Sequence, residues 1–165
     1  MALSPEQLAQ RAEIGDVVLG YATAIDSRDW NLLRSILTDP VHIDYSSMGS
    51  LNDDMPAEAW VTRLKSLYGF DATLHMISNL TFRVSGETAV CTSYVNAMHF
   101  LNDAGREYGA HACGVYVHEL VRKDSAWKIR KCTFRLAGRQ SGDAAFEAAF
   151  VRARELAPAR TPEGQ

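Results

Sequence analysis

Hydrophobic positions recur with a helical period in the first part of the chain. They extend to about Ser27 and comprise Leu8, Ala12, Val18, Tyr21, Ala22 and Ile25. The residues before them suit a helix N-terminus, because Ser4 can cap the helix, Pro5 is tolerated at its first position and Gln7 can complete a capping box. The pattern predicts a long first helix.

Two shorter helices with a short strand between them are expected next. Asp29 can cap a second helix that Pro40 stops, and the alternation over Val41–Tyr45 suits a strand. Asp53 or Asp54 can then cap a third helix.

From Leu74 onward the pattern changes to long segments rich in β-branched and aromatic residues. The predicted strands are Leu74–Val84, Thr88–Leu101, Glu107–Arg122 and Trp127–Leu136. Short turn-forming stretches separate them, so consecutive strands should be antiparallel. Because these segments exceed the common strand length, we expect strong curvature and bulges, such as one near Gly114.

A last helix is predicted over Gly142–Leu156, with Phe146 and Phe150 on one face. Residues 158–165 are interpreted as a flexible tail, which leaves residues 1–157 as one domain. Helices followed by a long, curled, mainly antiparallel sheet form an α+β architecture in which the helices cover one face of the sheet. Such a sheet encloses a cavity for a small organic molecule.

Composition narrows the functional classes. A chain of 165 residues with 47% hydrophobic residues can build one core, and its net charge of −3 does not favour a nucleic-acid partner. Three cysteines without a C-x-x-C pair fit a reducing compartment. Neither a signal peptide nor a membrane span is recognisable, so the expected location is the cytoplasm, with no membrane partner.

Several residues could carry chemistry in the predicted cavity. Asp26 follows Tyr21 by five residues, and both can face one cavity only if the helix ends near Asp26; a turn carboxylate is the alternative. His75 begins a strand in an apolar setting, where a structural role is the alternative. Arg135 lies near the end of an apolar strand and should have a carboxylate or an anionic ligand nearby. Arg139 should be solvated. The histidines form no tight metal-ligand spacing, and we predict no metal site.

The segments Tyr21–Trp30, Asp44-Tyr45, Thr73–Asn79 and Trp127–Arg130 resemble SnoaL-like proteins of the NTF2-like superfamily. The resemblance covers about residues 6 to 140. It is strongest to the branch that contains bile acid 7α-dehydratase, scytalone dehydratase and γ-hexachlorocyclohexane dehydrochlorinase. It implies a cone-shaped α+β barrel with a cofactor-free active site, and a homo-oligomer, either a trimer or a dimer.

By position, the resemblance implies an Asp26–His75 catalytic dyad, an active-site tyrosine at Tyr21 and an active-site arginine at Arg135. The chain departs from the bile acid enzyme at Asn96, where that enzyme has an acidic residue. Asn96 could bind substrate through hydrogen bonds, and His99 could correspond to a second histidine of scytalone dehydratase.

Asn96 and His99 have opposite strand parity, so both can line the pocket only if a bulge intervenes. Tyr45 is a further candidate for substrate binding, with a core tyrosine as its alternative.

The function expected from these residues is a cofactor-independent lyase, of the dehydratase type, acting on a small cyclic apolar substrate. An isomerase or cyclase with the same base is one alternative. The other is a non-catalytic ligand-binding or association domain, like the small subunit of ring-hydroxylating dioxygenases.

Overall fold

The computed structural model describes residues 2–162. Its helices are α1 (Pro5–Ser27), α2 (Trp30–Ser35), α3 (Ala57–Leu64) and α4 (Asp143–Arg160). Its strands are β1 (Leu37–Asp44), β2 (Asn52–Met55), β3 (Ala72–Ser85), β4 (Thr88–Asp103), β5 (Arg106–Lys123) and β6 (Ala126–Arg139). Short 3₁₀ turns occupy Ser46–Met48 and Lys65–Gly69.

The first two helices begin as the sequence predicts. The Ser4 hydroxyl accepts the backbone N–H of Gln7 at 3.1 Å, and the Gln7 side chain accepts the N–H of Ser4 at 2.9 Å, which completes the capping box. Asp29 caps α2 by accepting the N–H of Leu32 at 2.8 Å. Between these helices, Arg28 adopts a left-handed backbone conformation with φ 59°, which ends α1 directly after Asp26 and Ser27.

The prediction that Asp53 or Asp54 begins the third helix is wrong. Both residues belong to β2, which pairs with β1 in an antiparallel register, and α3 begins only after Pro56. Pairing along the sheet edge therefore outweighs the capping preference of these aspartates. Likewise, Pro40 does not stop α2 but lies within β1.

The strands form one sheet in the order β2-β1-β6-β5-β4-β3. β3 to β6 pair as consecutive antiparallel neighbours, as predicted, whereas β1 joins β6 in parallel. The sheet is curved and unclosed, with β2 and β3 at its two edges, and this arrangement confirms the predicted α+β architecture.

Two bulges shape β6. Its pairing with β5 shifts register between Glu119 and Leu120 and again between Cys113 and Gly114, so the predicted bulge near Gly114 is present. The second shift leaves Ala137 as an extra residue on β6. Gly114 is required here because a Cβ atom would overlap the carbonyl of Arg135 and the ring of Phe134. Each extra residue reverses which side chains of β6 face the helices.

The last helix is longer than predicted. α4 continues to Arg160 with Pro158 inside it, so the segment 158–165 is not a tail throughout, and residues 163–165 lie outside the described part of the chain. α4 packs tightly on the second 3₁₀ turn, where a Cβ atom on Gly69 would overlap the backbone of Ala153. None of the helices within residues 2–162 is long and apolar enough to span a membrane.

Candidate active site

The helices and the concave face of the sheet enclose a cavity of about 510 Å³. This volume is within the usual range for sites that bind small molecules. Its buried apolar lining consists of Ile25, Trp60, Leu67, Ala97, Ala112, Phe134 and Phe146.

α4 covers one side of this cavity. Phe146 and Phe150 stack with their ring centroids 4.8 Å apart, and both rings line the cavity. Phe150 also meets His99 edge-on at 4.9 Å. The pair predicted from the i, i+4 spacing is therefore buried against the ligand space.

His75 and Asp26 meet at the cavity wall. His75 Nδ1 lies 2.7 Å from Asp26 Oδ1, and the backbone N–H of His75 donates to Asp26 Oδ2 at 2.7 Å. The two carboxylate oxygens thus hold both the ring and the backbone of one residue. His75 lines the cavity, whereas Asp26 lies behind it and reaches the cavity only through the imidazole.

Thr73 and Arg28 support this carboxylate. The Thr73 hydroxyl donates to Asp26 Oδ1 at 2.9 Å and accepts from the Arg28 guanidinium at 2.7 Å. Arg28 also donates to the backbone carbonyls of Ile25 and Leu67, which fixes its position. The left-handed turn at the end of α1 therefore places a cation behind the Asp26–His75 pair.

Hydrogen bonding keeps Asp26 ionised. Burial raises the pKa of this carboxyl group, but the hydrogen bonds from the His75 ring and backbone and the electrostatic attraction of that ring, together with the Thr73 hydroxyl, outweigh burial and lower the pKa below its ordinary value. A carboxylate that accepts Nδ1–H fixes the tautomer in which His75 Nε2 has a free lone pair. Nε2 is the ring nitrogen left for a ligand in the cavity.

His99 lies beside His75 on the neighbouring strand, with ring centroids 5.5 Å apart. Its Nδ1 donates to the carbonyl of Ala110 at 2.9 Å, and the residue is 6% exposed. Burial, and secondarily the neighbouring His75, lower the pKa of His99 to about 3, so this ring is neutral at physiological pH.

Three tyrosines and one tryptophan form a hydrogen-bonded chain at the cavity. Trp60 Nε1 donates to the Tyr21 hydroxyl at 3.2 Å, and the Tyr45 hydroxyl donates to that of Tyr116 at 3.3 Å. The hydroxyls of Tyr21 and Tyr45 are 3.4 Å apart, so Tyr21 can donate to Tyr45. Burial raises the pKa of all three phenols, which remain neutral donors.

Tyr21 does not reach the cavity surface, although the sequence assigned it there. It is 0% exposed, is absent from the cavity lining and contacts the lining residue Tyr45 instead. Tyr45 lines the cavity as expected, together with Tyr116, which the sequence interpretation missed. The inward-facing alternation of Ala112, Gly114 and Tyr116 on β5 was the signal that could have identified it.

The structure places Arg135 on the exposed side of β6, outside the cavity lining, so the prediction that it serves the cavity is wrong. Arg139, which the sequence suggested was solvated, lines the cavity instead. The extra residue Ala137 explains why Arg139 and Arg135 face opposite sides of the sheet. Side chains alternate between the two faces along a strand, and one extra residue reverses that alternation for every residue after it. Arg139 donates to Asp143 at 2.7 Å and lies over the ring of Phe146.

Asn96 faces the opposite side of β4 from His99. Its side chain lies in a groove on the outer face of the sheet, where the Cys113 thiol is 3.6 Å from its carbonyl oxygen. The β4–β5 register is continuous here, so no bulge brings both residues to one face. The expectation that Asn96 binds substrate in the cavity is therefore wrong, and His99 alone of the two lines it.

Among the residues that the structure describes, no three His, Cys, Asp or Glu side chains are grouped so that they could hold a metal ion. The polar groups that line the cavity are two histidines, two phenols, two serines, three arginines and one glutamate: His75, His99, Tyr45, Tyr116, Ser50, Ser66, Arg63, Arg139, Arg154 and Glu147. They can exchange protons with an organic ligand, hydrogen-bond to it and attract negative charge.

Comparison with known proteins places this chain in a family. The model of the SnoaL-like domain matches residues 6–133. An uncharacterized protein of Mycobacterium tuberculosis is 30% identical over 129 residues, which are 77% of this chain and 85% of that protein.

Solved structures with the same fold include a scytalone dehydratase candidate from Novosphingobium aromaticivorans. It has a TM-score of 0.71 and 20% identity, over 82% of this chain and 89% of that one. A type 2 hexachlorocyclohexane dehydrochlorinase has a TM-score of 0.67 and 23% identity, over 81% and 88%. With the family model matching most of its length, the chain belongs to the SnoaL-like domain family.

Proposed function

We propose that this protein is a cofactor-independent lyase that eliminates water from a small cyclic substrate, with His75 as the base. The observation that carries the proposal is the 2.7 Å hydrogen bond between Asp26 and His75 at the wall of an apolar cavity. The scytalone dehydratase candidate and the dehydrochlorinase of the same fold have names that denote elimination reactions, which supports the proposal.

In the proposed reaction His75 Nε2 removes a proton from a substrate carbon. The electron pair of that C–H bond forms the new C=C bond as the adjacent C–O bond breaks, and the departing hydroxyl group takes a proton and leaves as water. Asp26 stabilises the imidazolium that forms and keeps the ring oriented. The proton that the departing hydroxyl takes is the one that His75 removed, so its transfer returns the base to its starting state.

The tyrosine chain provides the polarising group. Because Tyr45 donates to Tyr116, the Tyr116 hydroxyl keeps its own proton for a ligand. A carbonyl or leaving hydroxyl of the substrate that accepts this proton would be polarised without an ionised group in the apolar interior. Trp60 donates to Tyr21 and Tyr21 can donate to Tyr45, so the hydrogen bonds of this series all point toward Tyr116.

The test is turnover by His75→Ala on a set of cyclic hydroxylated ketones and acids, followed by mass spectrometry of the products. General-base catalysis contributes about 10²–10⁴-fold to rate, so we expect turnover to fall by at least about 100-fold while the fold is retained. His42→Ala is the matched control, because His42 lies on β1 and does not line the cavity.

The products separate the alternatives. Loss of water from the substrate mass supports elimination, and an unchanged mass supports an isomerase or cyclase that uses the same base. Unaltered turnover by His75→Ala would reject His75 as the base. Binding without turnover of any compound would favour a ligand-binding domain.

A further inference from the structure

The opening of the cavity is marked by residues that line it and are also exposed to solvent. These are Ser50, Arg63, Glu147 and Arg154. Arg63 is on α3, and Glu147 and Arg154 are on α4, so the two helices border the opening. The buried end of the cavity, in contrast, is aromatic and contains His99 and Tyr116.

Arg63 and Arg154 have no carboxylate partner within residues 2–162. Other arginines of α4 do: Arg152 bonds to Asp103 at 2.6 Å and Arg160 bonds to Asp71 at 2.9 Å. The only hydrogen bond of the Arg63 guanidinium to another described side chain is one to Ser50 Oγ at 3.4 Å. The two guanidiniums that border the cavity are therefore available to a ligand.

Arg139 adds a third guanidinium deeper in the cavity wall. Its Nη1 pairs with Asp143 and its Nη2 donates to the carbonyl of Met48 at 3.3 Å, but its Nε–H is buried and has no hydrogen-bond partner among the described residues. A buried N–H donor without a partner costs free energy, and a ligand oxygen would satisfy it. Its side chain is 12% exposed, so the guanidinium is largely removed from water.

Positive charge exceeds negative charge around this opening. Three arginines and one glutamate line the cavity, and Asp143, which pairs with Arg139, adds a second negative charge, so three positive charges stand against two negative ones. The planar guanidinium fork matches the two oxygens of a carboxylate, and such charge-assisted bonds are stronger near an apolar cavity than in bulk water.

We propose that the substrate is a cyclic carboxylic acid whose carboxylate binds Arg63, Arg139 and Arg154 at the opening, while its ring fills the apolar interior and reaches His75. This inference rests on the proposed function for the reaction at His75, and on the arginines alone for the carboxylate. The substrate expected from the sequence is small, cyclic and apolar; the proposed molecule keeps the apolar ring and adds an anionic group.

The test compares 2-naphthoate with 2-naphthamide, two ligands of nearly equal shape that differ in charge. Their dissociation constants are measured by titration calorimetry with the intact protein. We expect 2-naphthoate to bind at least about tenfold more tightly than the amide, and this preference to shrink in 0.5 M salt because the opening is solvated.

The double variant Arg63→Gln/Arg154→Gln should reduce the preference for 2-naphthoate to less than about threefold. Arg135→Gln is the matched control, because Arg135 is exposed on β6 outside the cavity, and it should keep the full preference. Arg139→Lys, which keeps the charge but lacks the Nε–H, should give an intermediate preference.

Equal affinity for the two ligands, no detectable binding of 2-naphthoate, or the same loss in the double variant and in Arg135→Gln would each overturn the inference. The proposed function can fail separately. Preference for 2-naphthoate without any His75-dependent elimination would retain the carboxylate site and reject the lyase. Elimination from uncharged substrates with no preference for 2-naphthoate would retain the lyase and reject the carboxylate site.

Discussion

Two histidines on adjacent strands of one cavity wall differ in the group bonded to Nδ1, and the difference suits only His75 to the proposed role of base. His75 and His99 lie with their ring centroids 5.5 Å apart, and each is bonded through Nδ1. The partner of His75 is a carboxylate, whereas that of His99 is the backbone carbonyl of Ala110. A carboxylate stabilises the imidazolium formed when the ring takes a proton, and a neutral carbonyl does so far less.

The surroundings reinforce this difference. His99 is enclosed by Phe70 and Phe150, and its pKa is lowered to about 3. His75 has Asp26, Thr73 and Arg28 arranged behind it. A position in the cavity wall alone therefore does not suit a histidine for the proposed acid–base chemistry. The partner of Nδ1, a carboxylate for His75 and a carbonyl for His99, distinguishes the two rings.

Asp26→Asn is expected to have the largest effect, because it removes the carboxylate that distinguishes His75 from His99. The amide preserves the shape but removes the charge and can hold the wrong tautomer of His75, so kcat should fall by about 10⁴-fold, as for the orienting carboxylate of a catalytic triad. The measurement is steady-state turnover of the substrate found in the His75 screen.

The control for this variant is Asp29→Asn, because asparagine caps a helix as well as aspartate does. It should retain kcat within about twofold. A kcat for Asp26→Asn within threefold of the wild type would show that the charge behind His75 is not needed.

A smaller effect is expected on the pH dependence of stability. Because hydrogen bonds from His75 and Thr73 lower the pKa of Asp26 in the folded state, its contribution to stability is fully present above the unfolded-state pKa of about 4 and is lost as pH falls through the lower folded-state value. The difference in Tm between the wild type and Asp26→Asn should therefore shrink as the pH falls below about 4.

Thermal unfolding followed by circular dichroism from pH 3 to pH 7 measures this difference. A difference in Tm that stays constant over the whole range would contradict the lowered pKa of Asp26.

The smallest effect is expected for His99→Gln. Glutamine can still donate to the carbonyl of Ala110, so the loss of stability should stay below about 1 kcal/mol, the usual contribution of one hydrogen bond. Because the imidazole of His99 stays neutral, the acidic limb of the kcat/KM profile should not move and turnover should change less than about threefold. A shifted acidic limb would assign His99 a share in the proton transfer.

The sequence was sufficient where local patterns determine structure. The Ser4–Gln7 capping box, the Asp29 cap and the four long strands follow from short-range hydrogen bonding and alternation. The positions of His75 and Asp26 came from resemblance, and the structure brings them together. The catalytic role of the pair, the homo-oligomer and the cytoplasmic location stay predictions.

The wrong predictions concern residues whose positions depend on long-range pairing and packing. Asp53 and Asp54 cap no helix because they pair with β1 as part of an edge strand. No local sequence pattern predicts this pairing. Arg139 replaces Arg135 because a bulge set by pairing with β5 changes the strand phase. Tyr21 lies behind Tyr45 and not at the cavity surface. Its hydroxyl bonds to Tyr45 and Trp60, and the position of Trp60 depends on tertiary packing.

The extra residue at Ala137 has a consequence for how relatives could diverge. Arg139 faces the cavity only because the strand carries one residue more than its partner, so removing that residue would turn the Arg139 side chain outward without substituting any residue of the cavity lining. The length of β6, rather than a substitution, then determines whether the cavity wall carries the Arg139 cation in addition to those of Arg63 and Arg154. A one-codon insertion or deletion in β6 could thereby change the class of ligand accepted while the base and its carboxylate remain untouched.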